Sequence, residues 1–385
     1  MPSPLSSLFL LSPNITYLNF GSFGACPREV FEDYQKWQRE LESEPVQFFA
    51  VNGPTYLKSS RIALSAFINA PQEDLIFTPN PTYAINAIAN SIGLQPGDEI
   101  LSTNLEYGAL DRTWNYYCKK AGATFIRQPI TLPIVDKETF VSEFVKGFSV
   151  KTKAIFISHI TSVTGIILPV KEICAEAKKR GLITIVDGAH VPGHVKLDLA
   201  ELQADVYTGA CHKWMMTPKG CTFLYVTKSL QNSIDPLVVS WGYESDQPGE
   251  SQFYDYHQFN GTRDYSAYLT IPAALQFMKN NDWHKVGENC KSLVRTYAPR
   301  FVSLSGLPAI SPISSEFLGQ MFSIPVTLSN PQQFQKMLFS KYHIEIPVMT
   351  QNGRTFIRFS VNGFNDASDL DQLYIALEKE LSNAK

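Results

Sequence analysis

Between residues 74 and 226 the chain alternates short apolar, β-branched runs with segments of helical periodicity. The runs are DLIFTP, DEILSTN, ATFIRQPI, KAIFISHI, LITIVDGAH, ADVYTGACH and CTFLYV. Strands that alternate with helices form strand-helix-strand units, in which the strands lie parallel and the helices cover the sheet. We therefore predict an α/β fold built on a seven-stranded, mostly parallel sheet.

Two of the intervening segments have the apolar spacing i, i+3, i+4, i+7 of an amphipathic helix. The two sets are Ile85, Ile88, Ala89 and Ile92, and Val170, Ile173, Cys174 and Ala177. Gly93 and Gly181 are expected to end these helices.

After about residue 265 the pattern changes to longer helical stretches followed by two strands and a last helix. These segments are SAYLTIPAALQFMKN, VGENCKSLVRTYAPRF, QMFSIPV, TFIRFSV and ASDLDQLYIALEKEL. We predict an N-terminal arm (1–20), a large domain (21–265) and a small C-terminal α+β domain (266–385).

Charge and cysteine content limit the partners of the chain. The 33 basic and 36 acidic residues give a net charge of −3, so we expect neither a nucleic acid nor a membrane as partner. The six cysteines form no C-x-x-C pair, as is typical of reduced thiols in a cytoplasmic protein.

Polar residues crowd the ends of the predicted strands, where open parallel sheets bind their ligands. They are Thr78 and Asn80; Asn104, Glu106 and Tyr107; Ser158, His159, Thr161 and Ser162; Asp187 and His190; and Thr208, His212 and Lys213. This edge of the sheet is the candidate site.

Asn80 and Pro81 open the first of the two helices. Asparagine caps a helix and proline suits its first position, so a plain cap explains the pair. The free N–H groups of that turn, with the Thr82 hydroxyl, would also bind an anion. The sequence has no G-x-G-x-x-G after a strand and no Walker motif, which leaves a monophosphate.

Lys213 lies in the apolar stretch GACHKWMM, and Asp187 ends the apolar strand LITIV. A carboxylate there needs a cation or donors, and a buried ion pair between the two residues is one interpretation. In the other, both face a cofactor: the carboxylate keeps a ring nitrogen protonated and the amine forms an imine, as pyridoxal 5′-phosphate (PLP) requires.

The chain resembles the class V aminotransferase family of PLP-dependent enzymes in four segments. In chain order they are LEYGAL, SHITSVTGIILPV, VDGAH and YTGACHKWMMTPKG. YLNFGSFGACPREV and ESEPVQFF are most similar to its isopenicillin N epimerase-like branch, which includes C–S lyases. The resemblance implies the type I fold of PLP-dependent transferases, with PLP bound by the large domain.

The resemblance also implies the roles of individual residues. Lys213 would form the Schiff base, Asp187 would hold the pyridine nitrogen, His190 would lie near the ring hydroxyl and Tyr107 would stack on the ring. Thr82, with the amides around Asn80 and Pro81, Thr208 and His212 would bind the phosphate, and Ser162 stands where many relatives have asparagine.

The remaining roles concern the substrate and a second subunit. Arg358 would grip the α-carboxylate of the substrate, with Ser22 and Phe23 nearby. Thr262 would reach the phosphate of a neighbouring subunit, which implies a homodimer with active sites at the interface.

The expected function is a PLP-dependent reaction at the α-carbon of an amino acid or small peptide, with epimerisation, C–S elimination and transamination all open. Persulfide chemistry is not expected, because no cysteine follows Cys290. A metal hydrolase and a non-enzymatic binding protein are the rivals. His190 and His194 enclose Pro192-Gly193, so their rings cannot share a helical face as a zinc motif requires, and no metal is expected.

Overall fold

The computed structural model describes residues 3–258 and 260–383. The predicted arm and small domain therefore include four terminal residues, 1–2 and 384–385, that lie outside the described residues. The chain begins with strand β1 (Thr16–Tyr17) and helices α1 (Phe20–Phe23), α2 (Arg28–Ser43) and α3 (Gly53–Ile68). Short 3₁₀ turns span Ser6–Leu8 and Gln72–Asp74, and a π-helical turn spans Gln47–Asn52.

A seven-stranded sheet forms the centre of the molecule. Its strands are β2 (Leu75–Thr78), β3 (Glu99–Thr103), β4 (Thr124–Gln128), β5 (Thr152–Ser158), β6 (Ile183–Asp187), β7 (Val206–Ala210) and β8 (Thr222–Val226). Their order is β2-β8-β7-β6-β5-β3-β4, and β8 runs antiparallel to both of its neighbours while the other pairs are parallel. The predicted α/β fold with a mostly parallel sheet is confirmed.

Helices connect these strands and cover both faces of the sheet. They are α4 (Pro81–Ser91), α5 (Gly108–Ala121), α6 (Lys137–Val145), α7 (Val170–Lys178), α8 (Leu199–Leu202) and α9 (Lys228–Gln231). Phe156 and Ile185 pack in the apolar cluster beneath α4 and α5, whereas Ile157 and Val186 pack in the cluster beneath α6 and α7. Burial on both faces explains why these strands are almost continuously apolar.

The rest of the chain forms helices around a three-stranded antiparallel sheet in the order β11-β12-β9. The elements are α10 (Gln252–Gln258), α11 (Ser266–Leu269), α12 (Ile271–Asn280), α13 (Trp283–Ser305), β9 (Met321–Val326), α14 (Pro331–Tyr342), β10 (Ile344–Glu345), β11 (Val348–Gln351), β12 (Arg354–Ser360) and α15 (Ala367–Asn383). A separate apolar cluster fills the space between this sheet and α13 and α15.

One expected helix is divided. The segment SAYLTIPAALQFMKN is helical as predicted, but it forms two helices, α11 and α12, with a break at Thr270. Pro272 lies in the first turn of α12, where its missing N–H has no effect; in a helix interior the ring would clash with the preceding turn.

The N-terminal segment joins the C-terminal part of the chain. Strand β1 pairs in parallel with β10, and Ser360 N donates to Leu18 O at 2.9 Å. The helix α1 that follows is thereby held beside the end of β12. Within residues 3–258 and 260–383, no helix is long and apolar enough to cross a membrane.

Candidate active site

Three neighbouring strands carry polar residues at the same level, close to their carboxyl ends. Ser158 of β5 pairs with Asp187 of β6, and Asp187 pairs with Thr208 of β7. Residues paired in a parallel sheet present their side chains to the same face, which here is the face covered by α4 and α5. The expected gathering of polar groups at this edge is present.

Lys213 lies in a turn directly after β7. Gly24, in the left-handed region with φ 67°, packs against the backbone of this turn, and a Cβ there would overlap the His212 carbonyl and lie 2.8 Å from Lys213 O. Gly193, with φ 82°, packs against the Trp214 carbonyl in the same way. The turn that carries the lysine is therefore clamped by two close backbone approaches.

Asp187, His190 and Lys213 form what we call the lysine cluster. Lys213 Nζ lies 3.2 Å from His190 Nε2. Burial lowers the pKa of Lys213 to about 8, an effect that Asp187 opposes and Arg358 reinforces. None of the ion pairs among the described residues joins Asp187 to Lys213, so the interpretation of a direct buried ion pair was wrong.

The Asp187 carboxyl is buried, with a residue exposure of 5%, and accepts a hydrogen bond from Ala189 N at 3.0 Å. Burial raises its pKa, while the Ala189 amide and Lys213 lower it. A further positive charge beside Asp187 would therefore stabilise the ionised form of its carboxyl.

The two histidines near the cluster differ in their partners. His190 Nδ1 is buried without a hydrogen-bond partner in the described structure. In contrast, His194 uses both ring nitrogens, with Nδ1 donating to His190 O at 2.9 Å and Nε2 accepting from Gln320 N at 2.6 Å. Its ring also stacks on Trp214 with centroids 4.0 Å apart. His194 thus has a structural role and no free nitrogen for a metal.

Helix α4 begins beside this edge and packs against β7 and β8. Asn80 Oδ1 accepts from Tyr83 N at 2.8 Å, as expected of a cap, and Pro81 has no N–H to offer. The amide of Thr82 has no acceptor within the helix, so this turn still presents an N–H group and the positive end of the helix dipole. The cap and the anion-binding interpretations are compatible.

Several predicted cofactor ligands have partners within the protein. The Thr208 hydroxyl donates to Phe223 O at 2.9 Å, and His212 Nδ1 lies 2.8 Å from Cys221 O. Burial lowers the pKa of His212 to about 4, so the imidazole is neutral. Tyr107 caps α5 from an exposed position, with 45% of its surface accessible, and its ring is free to meet a ligand.

Arg358 and Ser22 are brought together although they are far apart in the sequence. Arg358 Nη2 donates to Ser22 Oγ at 2.8 Å, and Nη1 donates to the backbone carbonyl of Ser162. The guanidinium is buried, which lowers its pKa to about 10, and its Nε has no partner. Phe23, the next residue after Ser22, is 63% exposed.

Thr262 lines a cavity to which the lysine cluster does not contribute. It is exposed and lines a cavity of about 520 Å³ together with Arg61, Trp241 and Tyr265. No residue of the lysine cluster lines this cavity, and neither does Arg358.

Glu106 is a buried acid of this region to which the sequence assigns no role beyond its place near a strand end. Glu106 is 3% exposed and accepts hydrogen bonds from Thr103 and from Ser158, the neighbour of Asp187. Its position three residues after a strand was visible in the sequence, but its burial was not.

The chain belongs to the class V aminotransferase family, whose model matches residues 25–373. It is 31% identical to an isopenicillin N epimerase of Amycolatopsis lactamdurans over 97% of this chain and 96% of that protein. It is 26% identical to a putative L-cysteine desulfhydrase of Oryza sativa subsp. japonica over 95% of this chain and 83% of that protein.

Among solved structures, a lysine-to-alanine variant of the cystine C–S lyase C-DES, with glycine covalently linked to its PLP, has a TM-score of 0.82. The two chains are 22% identical and are covered over 98% and 99% of their lengths, which shows the shared fold. By its family and its curated relatives, the protein is a PLP-dependent enzyme of the epimerase, lyase or aminotransferase type.

The residues at the sheet edge fit PLP. His190 Nδ1 and Arg358 Nε are buried polar atoms that the protein itself leaves without partners. The lysine cluster adds an amine and a buried carboxylate, and α4 adds its N-terminus. These groups match the aldehyde, ring nitrogen and phosphate of the cofactor.

Proposed function

We propose that this protein is a PLP-dependent epimerase that inverts the configuration at the α-carbon of an amino acid or small peptide. The observation that carries the proposal is the half-buried amine of Lys213, 3.2 Å from His190 Nε2 and within electrostatic range of Asp187. The identity of 31% to an isopenicillin N epimerase supports the choice of reaction. When bound, PLP accepts the negative charge that develops as the α-proton leaves.

The lowered pKa of Lys213 makes it a base at neutral pH. With a pKa of about 8 in place of the ordinary 10.5, the uncharged fraction at pH 7 rises by about 300-fold. The uncharged amine is the form that attacks an aldehyde and removes a proton. We assign both tasks to Lys213.

Asp187 would hold the positive charge on the ring nitrogen of the cofactor. Its burial makes a proton or a cation beside it favourable, and the nitrogen supplies one. The other proposed cofactor contacts are His190 to the ring hydroxyl; Tyr107 to the ring face; Asn80, Pro81, Thr82, Thr208 and His212 to the phosphate; and Ser162 beside the ring.

Arg358 would bind the α-carboxylate of the substrate. Hydrogen bonds to Ser22 Oγ and the Ser162 carbonyl fix the plane of its guanidinium, and Nε remains to donate. A fixed planar fork suits a carboxylate, whose two oxygens accept in parallel. Ser22 and Phe23 would line the substrate beside it.

We also propose a homodimer in the cytoplasm. We assign Thr262 to the cofactor phosphate of a second copy, because it lines a cavity to which no residue of its own lysine cluster contributes. Trp241, which lines the same cavity, is 92% exposed, and an exposed tryptophan of this kind favours an interface. The six cysteines are free thiols, in keeping with a reducing compartment. Sedimentation of wild type and Trp241→Glu would test the dimer, with dissociation expected in the variant alone.

A cysteine or cystine C–S lyase is the second candidate. The desulfhydrase relative supports it, and elimination of a β-thiol needs only the one base that Lys213 supplies. Epimerisation needs in addition an acid on the opposite face of the α-carbon.

Incubation with L- and D-amino acids, small peptides and cysteine derivatives in deuterated water separates these reactions. An epimerase incorporates α-deuterium and converts either enantiomer into the mixture. A lyase releases pyruvate and a thiol without racemising the remaining substrate, and that result would replace the first proposal by the second. Lys213→Ala is the matched control and should abolish either activity.

A further inference from the structure

We propose that Glu106 is a positioning residue for the cofactor ring: through Ser158 it fixes the end of β5 beside Asp187 and adds a second negative charge behind the ring nitrogen. The inference rests on the proposed role of Asp187. Among the described residues, the side chain of Glu106 forms hydrogen bonds with Thr103 and Ser158 and not with the lysine cluster.

The hydrogen bonds of Glu106 are those of an ionised carboxylate. Oε1 accepts from Thr103 Oγ1 at 2.7 Å, and Oε2 accepts from Ser158 N at 2.9 Å and from Ser158 Oγ at 2.5 Å. All three partners act as donors, although Glu106 is only 3% exposed. No lysine, arginine or histidine among the described residues forms an ion pair with it, so its negative charge is not neutralised locally.

Ser158 connects this carboxylate to Asp187. The two residues are paired in the parallel ladder of β5 and β6, and the next amide, His159 N, donates to Asp187 O at 2.8 Å. Adjacent strands are about 4.8 Å apart and paired side chains share a face. The Ser158 hydroxyl therefore connects the two acids: it donates to the Glu106 carboxylate and lies beside Asp187 in the neighbouring strand.

The charges of the two acids affect each other. Burial raises the pKa of Glu106 to about 7, donors from Ser158 and Thr103 lower it, and the charge of Asp187 raises it. Lys213, whose Nζ lies 3.2 Å from His190 Nε2, acts in turn on Asp187 and lowers the pKa of that carboxyl. A proton on the ring nitrogen offsets the charge of Asp187, so it favours the ionised form of Glu106, and ionised Glu106 favours that proton in return.

The same acid also holds the turn that carries Tyr107. The backbone carbonyl of Glu106 accepts from Gln351 Nε2 at 3.0 Å, which ties the turn to β11. The side chain also accepts from Thr103 within this turn. Glu106 could therefore act by holding the turn in place, and an experiment has to separate that structural role from the effect of its charge.

Glu106→Gln removes the charge and keeps the shape, because the amide oxygen still accepts from both Ser158 donors. Removal of a nearby negative charge lowers the pKa of protonated groups on the bound cofactor. We expect the pH midpoint of the visible absorbance of the bound cofactor to fall by about one unit and the affinity for PLP, measured by titration of the cofactor-free protein, to fall about tenfold. Glu99→Gln, at the opposite end of β3, is the matched control and should leave both values unchanged.

Two further variants distinguish charge from shape. Glu106→Asp keeps the charge but shortens the side chain, so its midpoint should lie nearer to wild type than that of Glu106→Gln. Ser158→Ala removes one donor to the carboxylate and should lower the midpoint by a smaller amount, and it provides the test if Glu106→Gln does not fold.

A wild-type midpoint in folded Glu106→Gln, or a larger shift in Glu106→Asp than in Glu106→Gln, would overturn the proposal. So would an unchanged midpoint in Ser158→Ala. Failure of the proposed function is distinguishable, because the wild-type protein itself would then bind no PLP or would keep its absorbance in Lys213→Ala.

Discussion

Replacement of Lys213 by methionine should stabilise the cofactor-free protein. Methionine has nearly the same length and shape as lysine and needs no solvation. The half-buried ammonium of Lys213, by contrast, has one hydrogen-bond partner among the described residues, His190. The lysine is thus a residue that the fold accommodates at a cost.

The size and sign of the effect follow from the pKa of Lys213. The folded-state value of about 8 lies below the ordinary 10.5, so the unfolded chain holds the proton more tightly. The difference corresponds to about 3 kcal/mol, at about 1.4 kcal/mol per unit. This cost is full below pH 8 and disappears as the pH rises through 10.5.

Urea unfolding of the PLP-free protein, at one protein concentration and at pH 7 and pH 10, measures the prediction. Lys213→Met should gain up to about 3 kcal/mol at pH 7 and clearly less at pH 10. Lys151→Met, at an exposed lysine, is the control and should change stability by less than about 0.5 kcal/mol at either pH. A loss of stability at pH 7, or a gain that does not shrink with pH, would refute the reasoning about burial.

Three other outcomes are expected. The rate at which cofactor-free protein takes up PLP should rise about tenfold per pH unit up to pH 8 and then level off, because only uncharged Lys213 reacts; a flat stopped-flow profile would contradict this. Arg358→Lys should lower kcat/KM for an amino-acid substrate by about 100-fold, since an ammonium cannot form a fixed planar fork; steady-state kinetics with less than a threefold loss would count against the carboxylate contact. Gly24→Ala should destabilise the protein by several kcal/mol more than Gly220→Ala does. Both glycines have positive φ, but only the Cβ at residue 24 would overlap His212. Equal melting temperatures of the two variants would disprove that close approach.

The large sheet could be predicted because its strands are buried on both faces. Continuous apolar runs such as those of β5 and β6, which alternate with helical segments, are typical of parallel strands covered by helices on both faces. Strand β11 was not predicted, since it has four residues and only Val348 is buried. Helix α14 was also missed, although Phe334, Met337 and Leu338 have helical spacing after the Asn330-Pro331 start. The division into an arm and two domains stays a prediction.

The candidate site was predictable as far as it depends on strand ends. Asp187 and Lys213 each follow an apolar strand, and strand ends of a parallel sheet converge. The contact of Arg358 with the Ser162 carbonyl could not be predicted, because every residue has a backbone carbonyl and the residue type at 162 does not indicate this contact. The burial of Glu106 depends on β5 covering it, which the sequence around residue 106 does not record.

The most direct test of the account is to locate the lysine that holds the cofactor. Protein loaded with PLP is reduced with borohydride, which makes the link to a lysine permanent, and is then digested and analysed by mass spectrometry. The account predicts a phosphopyridoxyl group on Lys213 and on no other lysine. A label on a different lysine, or no label on Lys213 in protein that has bound PLP, would contradict it.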